Sequence, residues 1–348
     1  METIVIFRIG SLGDTVVALP CFHRIEKSYS AARRVLVTDI PASQKAAPVE
    51  SVLRGSGLIH DVIYFPPAPR KLRDFAELYG KLRGTGAKIL IYIADRHDAP
   101  HPVRTTIRDV AFFRFCGIKE IIGASVARRL RRLRIDPLTG YTEREAERLT
   151  RCLAALGPID LDNPANWDLR LQPNESAAAE RALLSLRKQE FIAVNMGGKV
   201  PAKDWGDQNW NALLAHMAHG LSHLALVFFG SGDEFERSAN LAANWPGTSL
   251  NLCGRLTPRE SAAAMSRARL FLGHDSGPMH LAAATGIPCI GMFGNANMPK
   301  WWHPIGLQHR IIHNMKGMRA IAPQDVYNVL LSLLSEERAQ APRLCAGA

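Results

Sequence analysis

Three short segments of this 348-residue chain carry side chains whose types and spacing could do chemistry. The first is Arg8-Ile9-Gly10-Ser11-Leu12-Gly13-Asp14. Gly10 and Gly13 permit a tight turn and close approach of the backbone to a ligand. Asp14 has two readings, the N-cap of a helix beginning at Thr15 or a carboxylate available as a general base. The segment is not a dinucleotide fingerprint, because the third glycine is missing and Asp14 would repel a pyrophosphate. The second segment, Asn195-Met196-Gly197-Gly198-Lys199-Val200-Pro201-Ala202-Lys203-Asp204-Trp205, offers glycines and two lysines. Lys199 and Lys203 could serve a diphosphate as point charges, or the stretch could be a solvated basic loop. The third is Gly273-His274-Asp275-Ser276-Gly277-Pro278-Met279-His280. Asp275 or Ser276 can cap a helix there, with Pro278 in its first turn. The N–H groups of Ser276, Gly277 and Met279 would then face an anion at the positive end of the helix dipole.

Two further clusters carry weaker signals. Gly230-Ser231-Gly232-Asp233-Glu234 could present Asp233, Glu234 or Glu236 to a ribose, and could equally be a plain turn. His216, His219 and His223 invite a zinc reading, but Gly220 interrupts their helix and no HExxH glutamate accompanies them. The sequence therefore predicts no metal.

These segments need strands to hold them. Strand candidates run over residues 4–9, 35–38, 62–65 and 89–94, then 191–195, 224–229, 270–273 and 289–293. Between them, stretches such as 15–27 and 71–83 repeat apolar residues at helical spacing. Alternating strands and helices predict parallel sheets covered on both faces, hence two Rossmann-like domains. Gly157-Pro158, Asn163-Pro164 and Pro173-Asn174 mark the break, giving domains at 1–165 and 166–348. The last helix, 324–334, is a candidate to pack back on the first domain. Ligands of open parallel sheets sit beyond the carboxyl ends of strands, so a cleft between the domains is the expected site. All three segments follow a strand candidate.

Hydrophobic residues make up 47% of the chain, which excludes a disordered protein. No run approaches the roughly 20 apolar residues of a membrane-spanning helix. The six cysteines are scattered without a CxxC pair, and the N-terminus enters a strand without a basic leader, so a cytoplasmic location is expected. The net charge of +11 is uneven: residues 1–157 carry +10 and the rest +1. A basic first half predicts an anionic partner, among which nucleic acid lacks any recognisable reading motif here.

In order and spacing, Arg8–Asp14, Lys203-Asp204-Trp205 and Asp275-Ser276-Gly277-Pro278-Met279-His280, with the trailing Ala-Ala-Ala-Thr-Gly-Ile-Pro, resemble the heptosyltransferases of glycosyltransferase family 9. The likeness covers nearly the whole chain, loosely over residues 40–150. It implies a GT-B fold, two Rossmann-like domains facing a cleft, with the acceptor on the first domain and the nucleotide sugar on the second. It implies an inverting transferase moving a heptose from ADP-heptose to a hydroxyl of lipopolysaccharide core or another surface glycan, with no metal or other cofactor. Asp14 and Lys203 would be catalytic, as base and as neutraliser of the departing diphosphate. The donor would meet Lys199, Glu234, Asp275, Ser276, Gly277, Met279 and His280. The acceptor would meet Gly10, Ser11, Gly13, Arg96, Arg128 and Arg131. The run Arg128-Arg129-Leu130-Arg131-Arg132-Leu133-Arg134 suits an anionic glycolipid or the inner face of the inner membrane, and is unremarkable as a solvated face. Two other classes compete: a nucleotide-sugar 2-epimerase of the same architecture, and a basic binding protein without catalysis.

Overall fold

Short apolar runs rich in Ile, Val and Leu become parallel strands here, and the segments between them become helices. The computed structural model describes residues 1–40, 47–66, 72–94, 101–124, 130, 132–198 and 200–345, with side chains as far as residue 336. The chain forms two units, Met1–Asn174 and Glu175–Ala348.

In the first unit the described strands are β1 (Thr3–Phe7), β2 (Arg33–Asp39), β3 (Asp61–Phe65), β4 (Ile89–Tyr92) and β5 (Glu120–Ile122). They form one parallel sheet in the order β3-β2-β1-β4-β5. The helices are α1 (Leu12–Val17), α2 (Leu19–Ser28), α3 (Glu50–Leu53), α4 (Leu72–Gly84), α5 (Pro102–Phe115) and α6 (Glu145–Cys152). Phe7, on the central strand, packs against Phe65, Tyr92 and Phe113 with ring centroids 5.0–5.9 Å apart.

Helix α7 (Pro173–Leu183) leads into the second unit, whose described strands are β6 (Phe191–Asn195), β7 (Ala225–Phe228), β8 (Ser249–Asn251), β9 (Leu270–His274), β10 (Cys289–Phe293) and β11 (Arg310–His313). Their order is β11-β10-β9-β6-β7-β8, again all parallel. Helices α8 (Asp207–Leu221), α9 (Phe235–Ala242), α10 (Pro258–Met265), α11 (Gly277–Ala284) and α12 (Pro323–Cys345) complete the unit. Strands β6, β9 and β10 are buried at every residue, as a sheet covered on both faces requires. Val326, Leu330, Leu333 and Leu334 of α12 join the core of this second unit.

Both sheets are doubly wound. The chain builds outward from a central strand, returns, and builds the other way, which leaves a crevice where neighbouring strands send their loops apart. In the first sheet that switch lies between β1 and β4, and in the second between β6 and β9. Three strands, β5, β8 and β11, were not legible as apolar runs. β5 and β8 have three residues each, and all three strands lie at sheet edges with few or no buried residues.

The helical stretch expected over 15–27 is two helices, broken at Ala18, and the first begins three residues early. This corrects the reading of Asp14 as an N-cap. Ser11 is the N-cap, and Asp14 is the third residue of the helix.

Candidate active site

The second unit gathers the richer set of groups, and its topology explains how. β6 and β9 are neighbours, so the loops that leave their carboxyl ends start next to each other at the switch point. Lys203 closes a short 3-10 turn, Pro201–Lys203, on the first loop. Its ammonium lies 2.7 Å from Asp275 Oδ2 on the second. Asn297, from the loop after β10, donates to the same oxygen at 2.5 Å. Asp275 itself is only 6% exposed, so these two contacts replace the water it has lost.

The rest of the Lys-Asp-Trp segment fixes this geometry. Trp205 is fully buried, its ring 5.2 Å from that of Trp210 and its indole N–H donating to Ile321 O at 2.9 Å. Asp204 receives both terminal nitrogens of Arg237, at 2.9 and 3.0 Å, while Arg237 Nε donates to Asp207 at 2.6 Å. Burial pushes the Asp204 carboxyl up, but the Arg237 and Gly206 N–H bonds outweigh it and hold it below the usual carboxylate range. One residue of the segment anchors, one braces, and Lys203 is left for the loop opposite.

Beneath them His274 is buried, accepting from Trp210 Nε1 at 3.2 Å. Burial lowers its pKa to about 4, so it is a neutral ring at physiological pH. Ser276 Oγ donates to Asn195 Oδ1 at 2.9 Å, and Asn195 Nδ2 donates to Phe229 O at 2.8 Å. The two ends of β6 and β9 are thereby tied to the end of β7.

Helix α11 starts at Gly277, with Ser276 as N-cap and Pro278 in the first turn. Met279 is fully buried, and a Cβ on Gly291 would stand 2.8 Å from its sulfur. Its side chain is core, so only its backbone is available to a ligand. His280 is buried too, edge-on to Trp302 with centroids 6.1 Å apart.

Glu234 sits at the end of β7 in a seat made by glycines. A Cβ on Gly197 would lie 1.7 Å from Glu234 Oε1, and one on Gly230 would lie 2.0 Å from Oε2. The carboxylate also accepts the Ser231 N–H at 3.0 Å. Gly197 and Gly230 thus serve the carboxylate of Glu234 through their missing side chains.

In the first unit the Arg8–Asp14 segment is a self-bracing turn. Arg8 is fully buried, donating to Ile93 O at 2.6 Å and Asp14 O at 2.5 Å, and so clasps the loops of β1 and β4. Asp14 Oδ2 accepts the Ser11 N–H at 2.7 Å and the Ser11 hydroxyl at 2.9 Å. Gly10, at φ +122°, could not carry a side chain, because its Cβ would lie 2.8 Å from Asp14 Cβ. Asp14 is half-buried and Gly10 exposed.

Lys199, Arg96, Arg128 and Arg131 lie outside the described residues. His216 stacks on Tyr327, 5.8 Å between centroids, and among the described residues no three His, Cys, Asp or Glu side chains converge as a metal site. Asn195, Asn297 and Arg237 are the site residues to which the sequence assigned no role. Asn195 had a signal, as a polar residue ending a buried strand; Arg237 had none.

A pair of doubly wound parallel sheets with charged loops at their switch points defines the class, a two-domain Rossmann-like protein of GT-B kind. The chain belongs to glycosyltransferase family 9 (heptosyltransferase), whose sequence profile it matches over residues 106–326. It is 28% identical over 134 residues to the lipopolysaccharide core heptosyltransferase OpsX of Haemophilus influenzae, covering 38% of this chain and 37% of that protein. It is 26% identical over 200 residues to lipopolysaccharide heptosyltransferase 2 of Salmonella typhimurium, covering 51% and 57%. The chain thus spans less than two thirds of either relative. The solved structure of ADP-heptose lipopolysaccharide heptosyltransferase II from Escherichia coli shares its fold, with a TM-score of 0.68 at 19% identity over 97% and 100% of the two chains. Among the described residues no helix is long and apolar enough to cross a membrane.

Proposed function

We propose that this chain is an inverting glycosyltransferase that moves a heptose from ADP-heptose to an acceptor hydroxyl, that of lipopolysaccharide core or another surface glycan. The observation that carries the reading is the Lys203–Asp275 pair, 2.7 Å apart at the switch point of the second sheet and beside the start of α11. A crevice of this kind, with a cation and a helix N-terminus at its rim, is where a diphosphate is stabilised. The names of the relatives agree with it.

In this reading the second domain, expected from residue 166 onward, binds the donor. Lys203, the N–H groups at the start of α11 and His280 take the diphosphate. Asp275 meets the sugar, and Glu234 accepts hydroxyl hydrogens from the ribose. Lys199 adds charge. The first unit takes the acceptor along Gly10, Ser11, Gly13 and the basic residues Arg96, Arg128 and Arg131. The Asp14 carboxylate accepts the acceptor's hydroxyl proton. The freed oxygen attacks the anomeric carbon from the face opposite the diphosphate, the carbon–oxygen bond to phosphate breaks, and ADP leaves with the electron pair. Negative charge grows on the diphosphate as that bond lengthens, so Lys203 and the helix dipole stabilise the transition state more than the ground state. They supply the positive charge that a metal supplies in other transferases, and the reaction needs none. Both bonds that Asp14 accepts from Ser11 fall on Oδ2, which leaves Oδ1 for the proton. The enzyme works in the cytoplasm, at the inner face of the inner membrane.

A panel of nucleotide sugars tests the reading, scored by thermal stabilisation and by release of nucleoside diphosphate. ADP-heptose at about 100 times its dissociation constant should stabilise the fold by about 2.7 kcal/mol. Stabilisation by a uridine or guanosine sugar alone would overturn the donor assignment.

A further inference from the structure

Helix α5 has an outer face that neither the donor nor the acceptor reading uses. Its exposed positions are Arg104, Ile107, Arg108, Ala111, Arg114 and Phe115, spaced three and four apart along one stripe. Phe115 is 72% and Ile107 53% exposed, so two large apolar side chains stand in water between arginines. The one carboxylate of α5, Asp109, is buried, accepting from Tyr92 at 2.9 Å and pairing with Arg108 at 3.1 Å, which leaves Arg104 and Arg114 as the stripe's arginines without a carboxylate on α5. Helix α4 continues the surface. Its Tyr79 packs against Phe115 and its Phe75 against Phe112, with centroids 5.0 and 6.0 Å apart. It starts at Leu72, 89% exposed, and adds Arg73, Lys81 and Arg83 against Asp74 and Glu77, the last already paired with Lys81 at 2.6 Å.

We propose that the α4–α5 face is a docking surface for an anionic phospholipid bilayer, with Phe115, Ile107 and Leu72 entering the headgroup layer and the arginines holding lipid phosphates. Three features select this occupant. Arginines along a stripe with no exposed carboxylate on α5 match a negative surface. Apolar side chains standing among those arginines gain from hydrocarbon and would gain nothing from the phosphate backbone of a nucleic acid. A second copy of the same face would bring arginines against arginines, which charge repulsion opposes. The long arginine stems can lie along the apolar tips while their guanidinium groups reach the phosphates.

The test is co-sedimentation of the full chain with vesicles of phosphatidylcholine alone and of phosphatidylcholine mixed with phosphatidylglycerol. Binding is expected to the mixed vesicles only, weakening as salt is raised. Arg104→Gln should weaken it about fivefold, at the usual contribution of one cation near such a surface. The pair Ile107→Ser with Phe115→Ser should weaken it at least about tenfold, from the burial lost by two apolar side chains. These side chains are exposed, so the melting temperature should hold. Phe115→Trp gives an independent readout: its emission should shift to shorter wavelength on adding the mixed vesicles. Equal binding to both vesicle types, binding untouched by the Ile107/Phe115 pair, or an emission spectrum of the Phe115→Trp variant unmoved by vesicles would overturn the proposal. So would sedimentation equilibrium showing a dimer that the same pair abolishes, which would make a second copy the occupant. None of these readouts requires donor or acceptor.

Discussion

Replacing Lys203 by Met removes the ammonium 2.7 Å from Asp275 Oδ2 while keeping most of the side chain's bulk. Two consequences follow, and they can be separated. The first is structural: a 6%-exposed carboxylate loses its counter-charge and keeps Asn297. Breaking a buried pair from one side costs about 3–5 kcal/mol, but Lys203 is 22% exposed and the Asn297 bond remains, so about 2 kcal/mol is expected. The second is functional. If Lys203 binds the diphosphate, one charge-assisted contact is lost, about 1.5–3 kcal/mol or roughly 10- to 150-fold in ADP affinity. The double variant Lys203→Met, Asp275→Asn divides the two. It leaves no uncompensated charge, so denaturant unfolding should recover most of the lost stability. Calorimetric titration with ADP should still show the weakened affinity. Recovery of ADP affinity in the double variant would mean that Lys203 serves only to neutralise Asp275, and the diphosphate contact would have to be sought elsewhere.

Other outcomes follow from the same geometry. Gly197→Ala should leave the fold nearly as stable, costing about 1 kcal/mol for the Ser231–Glu234 bond, because the group displaced is the end of a flexible side chain. It should weaken ADP as much as Glu234→Ala does, and the two losses should not add; full additivity in titration would separate Gly197 from Glu234. The pKa of His274 falls from 6.5 to about 4 on folding, so its neutral form favours the fold above pH 6.5. That contribution, about 3 kcal/mol, is lost as pH falls from 6.5 towards 4, where the unfolded chain takes up the proton first. His274→Gln keeps an acceptor for Trp210 and should flatten the melting temperature across that window; an unchanged slope would place the acid sensitivity in another group.

Much of the architecture was legible because buried parallel strands read as uninterrupted apolar runs. Ile4–Phe7 and Phe191–Asn195 declare themselves that way. Ser249–Asn251 does not, since an edge strand three residues long carries no period. The loops at the strand ends were also legible, from glycines and charges in the Gly10–Asp14 and Gly273–His280 segments. Their partners were not. Nothing local says that Lys203 meets Asp275; that follows from β6 and β9 being neighbours across the switch, a property of the whole sheet. Likewise nothing local says that Gly197 makes room for Glu234, a residue from the next strand's loop. Asp14 was misplaced by three residues of helix start, because Gly10 and Gly13 read as a turn and hid the first helical residues.

Asp14→Asn tests the central claim, that this chain performs base-assisted sugar transfer. The amide oxygen can still accept the Ser11 N–H that Asp14 accepts at 2.7 Å, so the turn should persist and the melting temperature should change little. The amide cannot take a proton from an acceptor hydroxyl. With ADP-heptose and a lipopolysaccharide core acceptor, ADP release should therefore fall about 100- to 10,000-fold while donor affinity is retained. Near-normal release from a folded Asp14→Asn protein would contradict the account.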